Sequence, residues 1–171
     1  IIDLGADFRL ESEEEYTEWY NGTFLDKDLH KQAVYGLPEL FRANIKEDQK
    51  IIANPGCYTT CSPLAIAPAI VNGLVELKGI ICHCKSGVTG AGRKPSQGTH
   101  FPELNEGFHA YKVASHRHTP EIEQTLSKLS GEKVTITFVP HLLPVNRGIL
   151  ATVYADIKEG VTFEQIRKAY E

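Results

Sequence analysis

Cys57 stands where a nucleophile would. It follows Asn54-Pro55-Gly56, a sharp turn signal, and opens a helical pattern. A thiol at a helix start meets free backbone N–H groups and the positive end of the helix dipole, and both stabilise a thiolate. The same N–H groups can hold an oxyanion formed on a carbonyl that the sulfur attacks. Gly56 leaves the sulfur approachable on the side a Cβ would fill. Strand, tight turn, nucleophile and helix is also the logic of the serine elbow of hydrolases. The competing reading makes Cys57 a small packing residue, as most free cysteines are. Cys61, one turn on and on the same face, reads as packing.

A reactive cysteine needs an acid/base partner supplied from elsewhere in the chain. The segment His116-Arg117-His118-Thr119-Pro120-Glu121 crowds two imidazoles and a guanidinium at the mouth of a predicted helix. Imidazole titrates near neutral pH and can take and return a proton. Arginine offers a planar fork for carboxylate or phosphate. A solvated capping cluster would look the same. His30, His83, His100, His109 and His141 lack such company and read as structural or exposed. In Ser86-Gly87-Val88-Thr89-Gly90-Ala91-Gly92-Arg93 the close glycines let backbone approach an anion. The spacing is not that of a dinucleotide fingerprint, and a plain surface loop fits it as well. Arg147-Gly148, between two strand patterns, reads either as a site arginine or as a hairpin turn.

These residues need elements to position them. Ile1 to Leu4 reads as the end of a strand. Glu11 to Tyr20 reads as a helix with Ser12 as N-cap, Glu15 completing a capping box, and Asn21-Gly22 as its stop. Val34 to Glu39 reads as loop, and Lys50 to Ala53 as a short buried strand. Apolar positions near period 3.6 predict a helix from Tyr58 to Val71, bent or shortened at Pro68 and stopped by Gly73. Gly79–Cys84 is a strand pattern, followed by a glycine-rich loop to Gly98. Thr119 to Leu129 reads as a helix with Pro120 in its first turn and Glu121 and Glu123 favouring its positive end. Strands are expected over Val134–Val139 and Ile149–Ile157, with a last helix opening at Thr162. The alternation points to mixed α/β or α+β.

Composition narrows the function. The 171 residues carry 18 Lys+Arg against 22 Asp+Glu, for a net charge of −4, with no basic block. A nucleic-acid partner is not expected on that balance. No apolar run approaches the roughly 20 residues that span a bilayer. The opening residues lack a signal-peptide pattern, so a cytoplasmic protein is expected. There is no methionine, so the sequence reads as a piece of a longer chain. Cys57, Cys61, Cys82 and Cys84 are spaced C-x3-C and C-x-C, unlike disulfide frameworks or zinc knuckles, and no metal is expected.

Taken in order, these segments resemble one family. Asn54-Pro55-Gly56-Cys57-Tyr58-Thr59-Thr60 is similar to the active-site segment of the N-acetyl-gamma-glutamyl-phosphate reductases. Ser86 to Arg93, His116 to Ile122 and Pro140 to Thr152 follow as in that family, as do Asp3 to Arg9 and Tyr35 to Glu39 before them. The resemblance implies an α+β fold: a mixed-sheet catalytic domain of the glyceraldehyde-phosphate dehydrogenase-like type, with a leading remnant of an α/β Rossmann domain. Residues 1–56 would be the C-terminal part of the NADP-binding Rossmann domain. Residues 57–171 would be most of the catalytic and dimerisation domain. The glycine-rich strand–turn–helix that grips the pyrophosphate would belong upstream.

The activity implied is NADPH-dependent reduction of N-acetyl-gamma-glutamyl phosphate to the semialdehyde, in arginine biosynthesis, through a thioester on Cys57. His118 would be the acid/base, with His116 as the alternative or as a substrate-orienting group. Arg117 and Arg93 would hold substrate phosphate or carboxylate, and Gly87, Gly90 and Gly92 would border NADP(H). A small-molecule acyl phosphate and a homo-oligomer are the expected partners, with no membrane or nucleic acid. Rival readings are a sister reductase acting on a carrier-linked aminoadipyl or glutamyl phosphate, a non-catalytic domain of the same fold, and a zinc module.

Overall fold

A computed structural model describes residues 1–171. Two sheets divide the chain. In the first stretch run β1 (Ile2–Asp3), α1 (Glu13–Tyr20), α2 (Lys27–Lys31), β2 (Ala33–Tyr35), α3 (Pro38–Phe41) and β3 (Ile51–Ala53). The three strands form a parallel sheet in the order β1-β3-β2. The helix expected from Glu11 begins at Glu13, because Ser12 caps it by accepting from the Glu15 amide. Its Oγ also donates to Glu14, and the other half of the expected box, from the Ser12 amide to the Glu15 carboxylate, is not formed. Asn21 ends the helix in the left-handed conformation (φ 55°).

The expectation of loop over Val34–Glu39 is corrected at both ends: Val34 and Tyr35 belong to β2, where pairing with β3 overrides the nearby glycine and proline, and Pro38 and Glu39 open α3, where proline suits the first turn. Gly36 is needed there, since a Cβ would lie 2.4 Å from Ile52 Cγ2.

The rest of the chain builds a second sheet. Its elements are α4 (Cys57–Val71), β4 (Ile80–Gly87), α5 (Phe101–Leu104), β5 (His109–Ala110), α6 (Thr119–Ser130), β6 (Ile136–Leu143), β7 (Ile149–Tyr154) and α7 (Phe163–Tyr170). Strand order is β5-β6-β4-β7, with β4 parallel to β6 and antiparallel to β7. β4 therefore lies between β6 and β7. The segment around Arg147-Gly148 crosses over β4, and a hairpin turn there is excluded.

Three further expectations change. β4 runs three residues past Cys84, because it is paired on both sides to Ser86, so the glycine-rich loop starts later than its composition suggests. Pro68 does not shorten α4, which reaches Val71 and ends with Gly73 at φ 64°. β6 continues through Pro140, whose carbonyl accepts from the Tyr111 amide.

Helices α4 and α6 cover one face of the second sheet. There Tyr58, Ile66, Ile70, Ile80, Cys82, Cys84, Ile122, Leu126 and Phe138 form the core. Cys82 and Cys84 share that inward face, as a strand's period of two requires, and His83 points the other way. Leu126 is fully buried in this layer. Leu126→Ala should cost about 2–5 kcal/mol, the range for an emptied leucine site. It would appear as a lower urea midpoint at unchanged slope; an unmoved midpoint would mean that α6 does not seat on the sheet.

Candidate active site

β3 ends at Ala53, and Asn54-Pro55-Gly56 turns the chain into α4 with Gly56 as N-cap (φ −70°, ψ 169°). Cys57 is the first helical residue and is exposed, whereas its neighbours Gly56 and Tyr58 are buried. The first-turn amides of α4 have no intrahelical partner, which leaves donors beside the sulfur.

His118 comes to this turn from the start of α6. Its Nε2 lies so close to Gly56 that a Cβ there would stand 2.7 Å away, and 2.9 Å from Arg9 Nη1. The glycine beside Cys57 thus admits the imidazole as well as substrate. Tyr58 locks the pair of rings: its own ring meets His116, His118 and Phe138 edge-on at 5.6, 6.0 and 5.1 Å. Its hydroxyl is 2.9 Å from that of Tyr111. The His118 amide donates to His116 Nδ1 at 3.1 Å, which fixes that nitrogen as an acceptor.

Electrostatics at the two rings depart from the simple expectation of near-neutral titration. Burial, with Lys112 and Arg117 adding to it, pushes His116 down to about 4. Burial, then His116, Arg9 and Arg117, push His118 down to about 3. Both rings are therefore neutral at pH 7, chiefly because burial disfavours the charged form.

The turn is held from below by Glu121, in the first turn of α6 and 0% exposed. Its Oε1 accepts from the Thr59 hydroxyl at 2.8 Å, the Tyr35 hydroxyl at 2.9 Å and the Gly56 amide at 3.3 Å. Its Oε2 is 3.7 Å from Arg9 Nη1, itself buried and donating through Nη2 to the Leu4 carbonyl at 2.8 Å. Sequence reasoning gave Glu121 only a helix-dipole role. The missed signal was its place at the helix start, three residues after His118, where a side chain faces the same neighbours.

A cleft of about 190 Å³ opens beside the sulfur, lined by Cys57, Ser86, Gly87, Thr89, Gly90, Gly148 and Ile149. The glycine loop and the crossover segment form its walls. The Gly87 amide donates to the Gly148 carbonyl at 2.9 Å, and the Thr89 amide to Asn146 at 3.1 Å. No charged side chain is in the lining.

The structure thus brings together Cys57, His118, His116, Gly87 and Gly90. Gly92 (φ 81°) lies further along the exposed loop and does not line the cleft. Arg93 is exposed on the same loop. Arg117 is exposed too and turns away to stack its guanidinium over Tyr20, 5.6 Å from the ring centroid.

The second sheet thus carries a thiol at a helix start with an imidazole against the adjoining glycine. Residues 57–171 match the family model described as semialdehyde dehydrogenase, dimerisation domain, and the chain belongs to that family. Among curated proteins it is 56% identical over 99% of its length to an N-acetyl-gamma-glutamyl-phosphate reductase of Clostridium botulinum, covering 49% of that protein. It is 51% identical over its whole length to the protein of that name from Brachyspira hyodysenteriae, covering 51% of it. The chain spans about half the length of these relatives. Among solved structures, aspartate semialdehyde dehydrogenase of Francisella tularensis superposes with a TM-score of 0.63 at 14% identity, over 85% of this chain and 52% of that one. Aspartate semialdehyde dehydrogenase II of Vibrio cholerae gives 0.61 at 17%, over 81% and 48%. These likenesses agree with the α+β, mixed-sheet fold expected from the sequence.

Two outcomes follow from the buried charges. His116 and His118 bind protons less readily folded than unfolded, so their contribution to stability is complete above their ordinary pKa and is lost as pH falls toward 4 and then 3. Chemical denaturation between pH 6.5 and 4 should show stability dropping, with His118→Asn lowering the slope by roughly 1.4 kcal/mol per pH unit. An unchanged slope would contradict a buried neutral ring. Glu121→Gln leaves the Arg9 guanidinium without its counter-charge and should destabilise by about 3 kcal/mol; a stability loss within error would show that the pair carries no weight.

Proposed function

We propose that this chain supplies the thiol-bearing part of an NADPH-dependent acyl-phosphate reductase that converts N-acetyl-gamma-glutamyl phosphate to N-acetylglutamate semialdehyde and phosphate. The observation that carries the reading is the exposed Cys57 at the start of α4 with His118 Nε2 against the adjoining Gly56. The shared name of relatives at 51–56% identity supports this substrate over a carrier-linked one.

The residues account for the chemistry in order. Neutral His118 takes the Cys57 proton as the sulfur attacks the acyl carbon. First-turn amides of α4 hold the oxyanion that forms. The carbon–oxygen bond to phosphate breaks, leaving a thioester on Cys57, and the proton on His118 passes to the departing phosphate. The charge of the acyl phosphate offsets Arg9 and Arg117, which is what raises the proton affinity of His118 when it is needed. Arg117 and Arg93, both exposed and outside the cleft lining, would have to turn inward to serve the anionic groups of the substrate, and His116 orients it beside Tyr58.

A nicotinamide fits the uncharged, glycine-walled cleft next to the sulfur, where Gly148 has nothing within 4 Å of the place a Cβ would take. Gly87 and Gly90 would border it, with Gly92 further out on the same loop. When bound, it supplies the hydride that reduces the thioester carbonyl. Release of the semialdehyde returns the electron pair to Cys57 as a thiolate, and because His118 has already given its proton to phosphate, the thiol is re-formed with a proton from solvent. The cleft lining has no cation for a pyrophosphate, so that part of NADPH is assigned to residues outside 57–171.

We assign residues 1–56, with their parallel sheet, to the end of the nucleotide-binding domain. The whole protein is read as a cytoplasmic homo-oligomer; no helix is long and apolar enough to cross a membrane.

Cys57→Ser in the full-length protein should lower phosphate-dependent NADP reduction by N-acetylglutamate semialdehyde by roughly three orders of magnitude or more. Retention of most of the activity would rule out the covalent route.

A further inference from the structure

Cys57 is not the only sulfur at the foot of α4. Cys61 lies one turn further along the same helix, half-buried, and Cys84 meets that helix from the inward face of β4, fully buried. Ser62 Oγ serves both, 3.3 Å from Cys84 Sγ and 4.0 Å from Cys61 Sγ. Cys82 shares the strand face of Cys84, but burial pushes its thiol up to about 12.

We propose that Cys61 and Cys84 are a disulfide-forming site that takes over the oxidising equivalent when a hydroperoxide attacks Cys57, and so returns Cys57 as a free thiol. The relay needs only a reactive Cys57, whatever acyl group that sulfur accepts.

Exposure decides where oxidation starts: Cys57 is open to solvent at a helix start, and Cys84 is sealed beneath the helix. The Cys57 thiolate attacks one peroxide oxygen. A sulfur–oxygen bond forms, the oxygen–oxygen bond breaks, and hydroxide leaves, so that two electrons pass from sulfur to peroxide and a sulfenic acid remains. The Cys61 sulfur then displaces the hydroxyl, which departs as water with the Cys61 proton, and a Cys57–Cys61 bond forms. Cys84 thiolate attacks the Cys61 sulfur; the Cys61–Cys84 bond forms as the Cys57–Cys61 bond breaks, and Cys57 leaves as thiolate. In sum, two thiols and one hydrogen peroxide give one disulfide and two waters.

Placement suits each step. Side chains four apart on a helix stand roughly 5–6 Å apart at Cβ, against about 3.5–4.5 Å across a disulfide. Cys57 closes that gap because it is the first residue of α4, with no intrahelical bond from its own amide to break. A bond made there is strained and is readily passed on. Cys84 is the member of the buried pair that gives up its proton. Its hydrogen bond with Cys61 holds the thiol below the ordinary range, against burial, and Ser62 and Lys85 add to the lowering. The same contact, then burial, pushes Cys61 up, so Cys61 keeps its proton until it attacks. Without the relay a sulfenic acid on Cys57 goes on to sulfinic acid, which thiols do not reverse.

Peptide mapping of the full-length protein after a pulse of hydrogen peroxide tests the relay. Trypsin cuts after Lys50, Lys78 and Lys85, so peptide 51–78 carries Cys57 and Cys61, and peptide 79–85 carries Cys82 and Cys84. In the wild type the two should be joined between Cys61 and Cys84, placed by fragmentation, and dithiothreitol should separate them. Cys82→Ala should keep the link, and Cys57→Ser should slow its appearance several-fold. Cys61→Ala, once its circular dichroism is shown to be native, should lose the link and accumulate Cys57 sulfinic acid several-fold faster than the wild type. Should Cys61→Ala not fold, the wild type decides alone: the thiols recovered by reduction should be Cys61 and Cys84, with Cys57 still open to alkylation. No linked peptide, a link through Cys82, or a bond confined to 51–78 would overturn the site. A link that forms at the wild-type rate in Cys57→Ser, or unchanged sulfination in folded Cys61→Ala, would overturn the transfer from Cys57.

Discussion

The carboxylate of Glu121 joins three parts of the chain that are distant from one another in sequence. Through one oxygen it holds the Gly56 amide, the Thr59 hydroxyl and the Tyr35 hydroxyl; through the other it faces Arg9. The turn before Cys57 with the first turn of α4, the edge of the parallel sheet and the segment after β1 all meet there. Fully removed from water, that charge is held by three donors on Oε1 and by the Arg9 guanidinium 3.7 Å from Oε2, which itself has no hydrogen-bond partner. The relative placement of the Cys57 sulfur and the His118 ring depends on it, because Glu121 shares the opening turn of α6 with the imidazole and grips the amide next to the thiol.

Around the thiol, charge is distributed unevenly. Arg9 and Arg117 crowd the imidazole side, while the cleft on the other side is lined by glycines, hydroxyls and Ile149 without any charge. The same arrangement makes the resting protein unreactive toward protons, since burial and two guanidiniums both oppose an imidazolium.

Much of this was legible in local sequence. The turn into α4, the caps at Ser12 and Thr162, the stops at Asn21 and Gly73, and the inward face of Cys82 and Cys84 follow from rules that need no tertiary context. The proximity of Cys57 and His118 was anticipated from residue types, and the glycine loop from its composition. What could not be read were features set by partners distant in sequence. β2 is a strand only because β3 lies beside it, and β4 outruns its apolar pattern because both flanks are paired. Neither the burial of Glu121 nor the turning of Arg117 onto Tyr20 leaves a trace in spacing. Pro140 argued for an end to β6, yet the ladder passes through it, because a missing amide matters little where the carbonyl still has a partner.

The position of β4 between β6 and β7 bears on how the molecule comes into being. During synthesis, β4 emerges with neither neighbour available, and the walls of the cleft are completed only when the crossover segment and β7 have followed. Pairings of such long range are slow to form, because the intervening loops must close before any hydrogen bond offsets their entropy. The nascent chain therefore carries a bare thiol and an unpaired apolar strand for most of its passage from the ribosome. That interval, more than any property of the finished protein, is when oxidation of Cys57 and aggregation through β4 compete with folding.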